Sequence, residues 1–196
     1  MLVTDDRLLA GRDLIALARA AESGGASAVQ LRLKTAPARE QATLARALIA
    51  TLRIPVLIND RPDVAMAAGA AGVHLGPDDL PVALARKVAP GLIIGASVGS
   101  EAEAALAAEA DYWGIGPWRV TTTKADAGEG LGPAGFAALV RLAAGRPCLA
   151  IGGIKPEDAA RVREAGGAGV AVVSGILGSE DVRGAAGAYV EAWSRS

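Results

Sequence analysis

The amino-acid sequence predicts a (β/α)8 barrel. Short apolar runs alternate with longer, Ala-rich amphipathic stretches, and eight runs in 196 residues give one strand-plus-helix unit per 24 or 25 residues. The runs are continuously apolar, which is typical of parallel strands buried on both faces. One domain is the default at this length, so we expect residues 1–196 to form a single barrel with a short amino-terminal segment.

The eight apolar runs are the predicted strands. In chain order they are residues 2–4, 27–31, 55–58, 72–75, 92–96, 112–115, 147–151 and 169–173. A doubly wound open sheet, with the same strands divided around a switch point, is the alternative that this pattern leaves open. No linker, low-complexity tract or charge block indicates a second domain.

Helix signals stand between the runs. Asp13 and Ser100 are of the residue types that cap helix starts, and Pro133 and residues 156–158 also open helical patterns. Gly166 follows one such pattern as a stop signal. These signals predict that helices connect successive strands, as a parallel barrel requires.

Composition excludes several classes of protein. Lys and Arg total 20 against 21 Asp and Glu, so the near-neutral chain lacks the basic surplus expected for nucleic acids or anionic membranes. The longest uncharged stretch, residues 165–179, contains five glycines and is too short to span a membrane. Charged residues interrupt the first 13 positions, so we expect no signal peptide and a cytoplasmic protein. The single cysteine, Cys148, excludes an internal disulfide.

Polar residues follow the predicted strands at their carboxyl ends, where a barrel carries its chemistry. The second strand is followed by Arg32 and Lys34, and the third ends in Asn59 and Asp60. The second strand also contains Gln30. The remaining strands contribute Asp79 after the fourth, Ser97 at the fifth, Thr121, Thr122, Thr123 and Lys124 after the sixth, Gly152 and Gly153 after the seventh, and Val173 and Ser174 at the eighth. Seven strands thus bring cations, carboxylates, hydroxyls or glycines to one rim.

These residue types suit a phosphorylated anion held with a metal ion. Arg32, Lys34 and Lys124 carry charges that neutralise phosphate oxygens. Asp60 and Asp79 are hard oxygen ligands, and Mg²⁺ is typically held by one or two carboxylates plus substrate phosphates. Glycines after the last two strands free backbone N–H groups, which form a frequent phosphate site in barrels. The sequence therefore predicts a diphosphate bound with Mg²⁺, and a second phosphate across the mouth.

Structural alternatives exist for several of these residues. Asp79 and its neighbour Asp78 also fit a helix N-cap, and Asp60 fits a tight turn. His74, the only histidine, lies in mid-strand, where a hydrogen-bonded structural role is expected before that of a base. Cys148 is expected to be a small core residue.

The order and spacing of the motifs resemble those of the thiamine-phosphate synthase family of (β/α)8 barrel enzymes. The resemblance runs over nearly the whole chain. It is carried by VQLRLK at 29–34, INDR at 58–61, GVHLG at 72–76 followed by Asp79, GAS at 95–97, DYWGIGP at 111–117, TTTK at 121–124, AIGGI at 150–154 and VVS at 172–174. Such enzymes join hydroxymethylpyrimidine diphosphate to thiazole phosphate, releasing pyrophosphate and giving thiamine phosphate.

The resemblance implies a role for each rim residue. The residues expected to hold the pyrimidine diphosphate are Gln30, Arg32, Lys34, Asn59 and Lys124. Mg²⁺ would lie on Asp60 and Asp79, across the phosphates. The residues expected at the thiazole phosphate are Thr121, Thr122, Thr123, Gly153, Val173 and Ser174. Ser97 would lie beside the reacting pyrimidine, and is expected to be catalytic together with Arg32, Lys34 and Lys124.

Departures from the family pattern define the competing hypotheses. Leu33, Pro77 and Gly99 stand where an acidic residue, Gln and His are common. A related branch of thiazole tautomerases is expected to use a His near the end of the fifth strand, which Gly99 replaces here. A non-catalytic barrel that binds phosphorylated ligands is the other alternative. The expected partners are the two small-molecule substrates, and a homodimer is one option for an assembly state that the sequence leaves open.

Overall fold

The computed structural model describes residues 1–120 and 130–195. Within this part of the chain, eight strands form one sheet in the order of the sequence, and every pair of neighbours is parallel. The strands are Leu2–Val3 (β1), Val29–Leu31 (β2), Val56–Asn59 (β3), Gly72–Leu75 (β4), Ile93–Val98 (β5), Tyr112–Ile115 (β6), Cys148–Ile151 (β7) and Gly169–Ala171 (β8). All eight predicted runs are therefore strands.

The first and last strands meet and close the sheet. Leu2 forms a parallel bridge with Val172, directly after β8. The Val3 N–H donates to the Val172 carbonyl oxygen at 2.9 Å, and the Val172 N–H donates to the Met1 carbonyl oxygen at 3.0 Å. A doubly wound open sheet would leave two free edges, so this closure confirms the barrel and excludes that alternative.

Helices connect the strands around the outside of the barrel. Those described are Asp6–Leu9 (α1), Leu14–Ser23 (α2), Ala38–Thr51 (α3), Pro62–Ala68 (α4), Val82–Val88 (α5), Glu101–Leu106 (α6), Gly132–Leu142 (α7), Ala159–Glu164 (α8), Ser174–Leu177 (α9) and Val182–Ser194 (α10). A 3₁₀ turn at Pro156–Asp158 precedes α8. None of these described helices is long and apolar enough to cross a membrane.

Several helix boundaries follow the predicted signals. The Asp13 carboxylate accepts from the N–H groups of Ile15 and Ala16 at the start of α2. Ser100 caps α6 in the same way through the Glu103 N–H. Gly166, just beyond α8, has φ +87°, a left-handed conformation that glycine adopts without strain.

Side chains of each strand alternate between two layers. On β2, Val29 and Leu31 pack outward into the main core under the helices, whereas Gln30 faces the interior. Burying one such aliphatic side chain stabilises the fold by about 1.5–3 kcal/mol. The small inner core joins Ala28, Leu57 and Tyr112 with Met1 and Leu149. Polar side chains occupy the interior nearer the carboxyl ends of the strands.

Candidate active site

A cavity of about 570 Å³ opens at the carboxyl ends of the strands, a size typical of small-molecule sites. Every predicted site residue that the structure describes lines it: Gln30, Arg32, Lys34, Asn59, Asp60, Asp79, Ser97, Gly152, Gly153, Val173 and Ser174. The other four, Thr121, Thr122, Thr123 and Lys124, lie outside the described residues. On either side of that segment, Pro117 and Leu131 line the same cavity, and the Leu131 N–H donates to the Pro117 carbonyl oxygen at 2.8 Å.

The basic wall of the cavity is held by residues that follow β1. Arg32 Nη1 lies 3.0 Å from Asp5 Oδ2, and both side chains are largely buried. Thr4 Oγ1 accepts from the Arg32 N–H at 2.8 Å and donates to the Arg32 carbonyl oxygen at 3.1 Å. The Lys34 N–H donates to Asp6 Oδ2 at 2.8 Å. Because backbone and guanidinium are both tied to the neighbouring strand, Arg32 is fixed before any anion binds.

The acidic wall is formed by Asp60 and Asp79. Asp60 has φ +65°, and its N–H donates to the His74 carbonyl oxygen at 2.8 Å. The Gly76 N–H donates to Asp79 Oδ2 at 2.7 Å. A Cβ at position 76 would lie 3.0 Å from that oxygen, so glycine gives the carboxylate its room. Asp60 lies close enough to Asp79 for the two carboxyl groups to interact.

Asp78 and Asp79 do not cap a helix, so the N-cap alternative is wrong. The N-cap of α5 is Pro81, and no side chain caps it. Two intervening residues, Leu80 and Pro81, carry the chain from the carboxylates to the helix. The Asp79 side chain instead turns back toward the end of β4, where it accepts from the Gly76 N–H and lines the cavity.

The two carboxylates fit a divalent cation. Burial and the neighbouring Asp60 carboxyl raise the pKa of Asp79 to about 6, because two adjacent negative charges repel unless a proton or cation lies between them. Among the described residues, no group of three or more His, Cys, Asp or Glu is placed to hold a metal. A pair of carboxylates that leaves other positions to water and substrate phosphates is the donor set typical of Mg²⁺.

The opposite wall offers backbone N–H groups rather than charges. Gly152 and Gly153 have φ +92° and +66°, so L-amino-acid side chains would be strained at both positions. A Cβ on Gly152 would also lie 2.8 Å from the Cα of Pro117. Ser174 begins the short helix α9 after β8. These residues lie where the sequence predicts a phosphate cradle, after the seventh and eighth strands.

Arg119 and Asp158 link the segments after β6 and β7. Asp158 is fully buried, and Arg119 forms a two-pronged ion pair with it, Nη2 lying 2.6 Å from Oδ1. Arg119 Nη1 also donates to the Gly153 carbonyl oxygen at 3.0 Å. Burial raises the pKa of Asp158, but hydrogen bonds from Arg119 and the Lys155 N–H outweigh it, and the pKa lies below its ordinary value. The ion pair therefore anchors the backbone of Gly153 to the segment that follows β6.

The interior below the cavity is polar. His74 Nδ1 lies 2.9 Å from Tyr112 Oη, and His74 Nε2 lies 3.0 Å from Ser97 Oγ. The Gln30 side chain lies beside Tyr112. His74 is thus hydrogen-bonded, as the sequence predicts, but it also lines the cavity.

Some residues around the site were missed by the sequence reasoning. Asp5 pairs with the Arg32 guanidinium, and Asp6 accepts from the Lys34 N–H. Both residues follow β1, so the expectation that polar residues after a strand lie at the rim of the barrel also applies to them. Glu103 also lines the cavity, and its Oε2 accepts from the Gly99 N–H at 2.5 Å. Cys148 is buried, as expected of a small core residue.

Comparison with known proteins identifies the family. A family model described as thiamine monophosphate synthase matches residues 1–176. Thiamine-phosphate synthase from Azorhizobium caulinodans is 50% identical over 191 residues, covering 94% of this chain and 90% of that protein. The solved structure of thiamine phosphate pyrophosphorylase from Pyrococcus furiosus superposes on this chain with a TM-score of 0.89 and is 39% identical in sequence. The match covers 99% of this chain and 94% of that protein's chain. The chain belongs to the thiamine monophosphate synthase family.

Proposed function

We propose that this chain, as one domain of residues 1–196, joins hydroxymethylpyrimidine diphosphate to thiazole phosphate in the cavity at the carboxyl ends of its strands. Its relatives at 42–50% identity are thiamine-phosphate synthases, so the chain is a transferase of thiamine biosynthesis. The observation that carries the assignment to this cavity is that every described residue expected to hold substrate or metal lines it.

Mg²⁺ is proposed to bind between Asp60 and Asp79. The support is that both carboxylates interact on the cavity wall, and that two protein ligands leave room for substrate phosphates. Bound there, Mg²⁺ would neutralise phosphate charge and template the diphosphate. Without a cation, the two carboxylates would repel that diphosphate.

The pyrimidine diphosphate is proposed to lie along the basic wall. Arg32 presents a fixed guanidinium whose geometry matches phosphate oxygens, and Lys34 adds a half-exposed ammonium charge. Gln30 and Asn59 line the adjoining interior, where their amides can pair with the polar edge of the pyrimidine. Lys124 is proposed to add a third positive charge, next to the phosphates.

Thiazole phosphate is proposed to occupy the opposite wall. Gly153 and Ser174 offer N–H and hydroxyl donors there, beside Val173, and Thr121, Thr122 and Thr123 are assigned to the same phosphate. This placement leaves the thiazole ring between the two phosphate sites. The ring nitrogen can then approach the pyrimidine methylene carbon, near Ser97.

The reaction needs charge stabilisation rather than a base. The bond from the pyrimidine methylene carbon to the diphosphate oxygen breaks, its electron pair leaves with pyrophosphate, and the thiazole nitrogen lone pair forms the new C–N bond. The nitrogen has no proton to lose. Arg32, Lys34 and Lys124 would stabilise the charge that develops on pyrophosphate, and preorganised electrostatics of this kind is commonly the largest catalytic contribution.

The tautomerase alternative lacks its expected histidine. Position 99 is glycine, and a Cβ there would lie 2.9 Å from the Gly116 carbonyl oxygen and 3.3 Å from Glu103 Oε2. The one histidine of the chain is engaged at both ring nitrogens by Tyr112 and Ser97. The donors and carboxylates of the cavity instead suit a diphosphate.

Pyrophosphate release tests the proposed function. We expect purified protein with both substrates and Mg²⁺ to release one pyrophosphate per thiamine phosphate, the latter measured by mass spectrometry. Omitting either substrate should abolish release. Tight binding of the substrates without turnover would favour the non-catalytic alternative, and isomerisation of a thiazole without pyrophosphate release would favour the tautomerase.

A further inference from the structure

A chain of hydrogen-bonded side chains crosses the barrel interior beside the cavity. It runs from Tyr112 on β6 to His74 on β4 and then to Ser97 on β5, and the Gln30 side chain on β2 lies beside Tyr112. Gln30, His74 and Tyr112 are between 4% and 8% exposed, whereas Ser97 is half-buried and lines the cavity. The chain therefore begins at the buried Tyr112 hydroxyl and ends at Ser97 Oγ on the cavity wall.

Two glycines make room for the rings of this chain. In the register of the sheet, His74 pairs with Gly95, and Gly95 pairs with Tyr112. A Cβ on Gly95 would lie 2.0 Å from Tyr112 Cζ, so the phenol can reach across β5 only because position 95 lacks a side chain. A Cβ on Gly114 would lie 3.0 Å from His74 Cε1. The glycines at positions 95 and 114 thus leave the space that the Tyr112 and His74 rings occupy.

If these side chains only filled the barrel interior, polar groups would not be needed there. Apolar side chains of similar volume fill a barrel interior without partners, whereas each buried polar atom must find one. Here both imidazole nitrogens find partners, and no buried side-chain nitrogen or oxygen in the described part of the chain lacks one. Hydroxyl groups can donate or accept, so engaging both nitrogens fixes the orientation of the ring whichever nitrogen carries the proton.

We propose that His74 is a positioning residue that acts through Ser97. Tyr112 fixes the imidazole through Nδ1, and Nε2 then fixes Ser97 Oγ toward the pyrimidine methylene carbon from which pyrophosphate departs. The inference rests on the proposed function for the identity of the reacting carbon. In this role His74 transfers no proton and acts on the substrate only through Ser97.

Two substitutions of His74 separate its two contacts. The amide of Asn reaches the position of Nδ1, whereas that of Gln reaches the position of Nε2. We expect His74→Asn to lower kcat about tenfold, with each KM changed less than about twofold, because Ser97 loses its partner. His74→Gln should retain clearly more of kcat, and His74→Asn combined with Ser97→Ala should be no slower than Ser97→Ala alone.

A control variant separates positioning from stability. Val73 is adjacent on β4, fully buried, and packs in the outer core rather than the interior. Val73→Ala should lower the Tm while kcat stays within about twofold. Equal losses of kcat in His74→Asn and His74→Gln, or multiplicative losses in the double variant with Ser97→Ala, would overturn the proposal.

A spectroscopic measurement tests the geometry even if the proposed reaction is not observed. His74 is the only histidine, so ¹⁵N-histidine labelling of the whole protein reports one imidazole. We expect an Nε2 signal that moves in Ser97→Ala and an Nδ1 signal that moves in Tyr112→Phe. An Nε2 signal unmoved by Ser97→Ala would contradict the positioning. Absence of thiamine phosphate with the wild-type chain would contradict only the proposed function.

Discussion

Lys34 Nζ lies 2.5 Å from Asp60 Oδ2, across the neighbouring ends of β2 and β3. The ammonium is half-exposed and the carboxylate is mostly buried, so the pair stands at the boundary between the barrel and the cavity. Each charge has a second proposed partner: phosphate for Lys34 and Mg²⁺ for Asp60. The contact therefore places the cation-binding and anion-binding halves of the site next to each other.

The first prediction concerns the metal. Asp60→Asn and Asp79→Asn each remove a charge from the proposed Mg²⁺ site, and we expect each to raise the Mg²⁺ concentration needed for half-maximal activity at least about tenfold. Titration of activity with Mg²⁺ after chelator treatment measures this. Asp63→Asn is the control, because Asp63 is exposed and paired with Arg61 at the start of α4. An unchanged Mg²⁺ requirement in both site variants would contradict the assignment.

The second prediction concerns Asp5. Its carboxylate holds the Arg32 guanidinium and also caps α1 by accepting from the Arg7 N–H. Asp5→Asn keeps a good capping residue but loses the charge, so we expect KM for pyrimidine diphosphate to rise about three- to tenfold, with KM for thiazole phosphate nearly unchanged. Asp13→Asn, the same change at the cap of α2, should leave both KM values as they are.

The third prediction concerns the acceptor phosphate. Gly153→Val is unsuitable alone, because the left-handed backbone and the Arg119 Cβ, 3.0 Å from an added Cβ, would disturb the wall. Ser174→Ala removes one hydroxyl without strain, and we expect it to raise KM for thiazole phosphate about tenfold while KM for pyrimidine diphosphate stays constant. Ser179→Ala is the matched control outside the cavity. Equal increases in both KM values would mean that the phosphate site is misassigned.

The fold could be predicted because its signals are local. Each strand is a short apolar run, and a parallel barrel brings the residues after all such runs to one rim. This relationship predicts that Arg32, Asp60 and Ser174 lie in one cavity, and all three line it. Asp5 follows β1 in the same way, but its pairing with Arg32 depends on a contact between neighbouring strands that the sequence pattern does not show.

Contacts between residues that lie far apart along the chain could not be predicted from the sequence pattern. Whether His74 faces the interior or the helices depends on the register of β4 between its neighbours, which a four-residue apolar run does not reveal. The pairing of Arg119 with Asp158 joins residues 39 positions apart. The orientation of Asp79 depends on its hydrogen bond to Gly76, whereas its residue type alone favours an N-cap.

The fourth prediction concerns pH and the Arg119–Asp158 pair. Because the pKa of Asp158 is lowered in the folded protein, the pair stabilises the fold above the ordinary pKa of Asp, and this stabilisation is lost as the pH falls toward the folded-state value. We expect Asp158→Asn to lower the free energy of unfolding at pH 7 by about 2 kcal/mol, less than for a fully buried pair because Arg119 is 40% exposed.

Thermal unfolding as a function of pH measures this effect. The difference in Tm between wild type and Asp158→Asn should narrow as the pH falls below about 4. Glu191→Gln is the control, because its pair with Arg195 is exposed at both partners and contributes little. A Tm difference that stays constant from pH 7 to pH 3 would show that the charge of Asp158 is not what stabilises the fold.

The last prediction concerns the order of bond breaking and bond formation. The cavity gathers Arg32 and Lys34 beside the proposed diphosphate site, and Lys124 is assigned there too. The described residues of the proposed thiazole phosphate site, Gly153, Val173 and Ser174, include no general base. This distribution stabilises a leaving group that departs early, and the electron-rich aminopyrimidine can carry the positive charge left on its methylene carbon. We therefore predict a dissociative, carbocation-like displacement.

Removal of one cation and a change in the pyrimidine test this mechanism separately. Lys124→Ala should lower kcat at least ~10²-fold, as when one preorganised charge-stabilising donor is lost, whereas Lys87→Ala on the exposed side of α5 should not. An electron-withdrawing substituent on the pyrimidine should slow the chemical step strongly, because it destabilises the cation but hardly affects binding of the diphosphate. Single-turnover kinetics isolates that step. A substituted pyrimidine that reacts as fast as the parent there would rule out a dissociative step, and the thiazole nitrogen would then have to attack before pyrophosphate leaves.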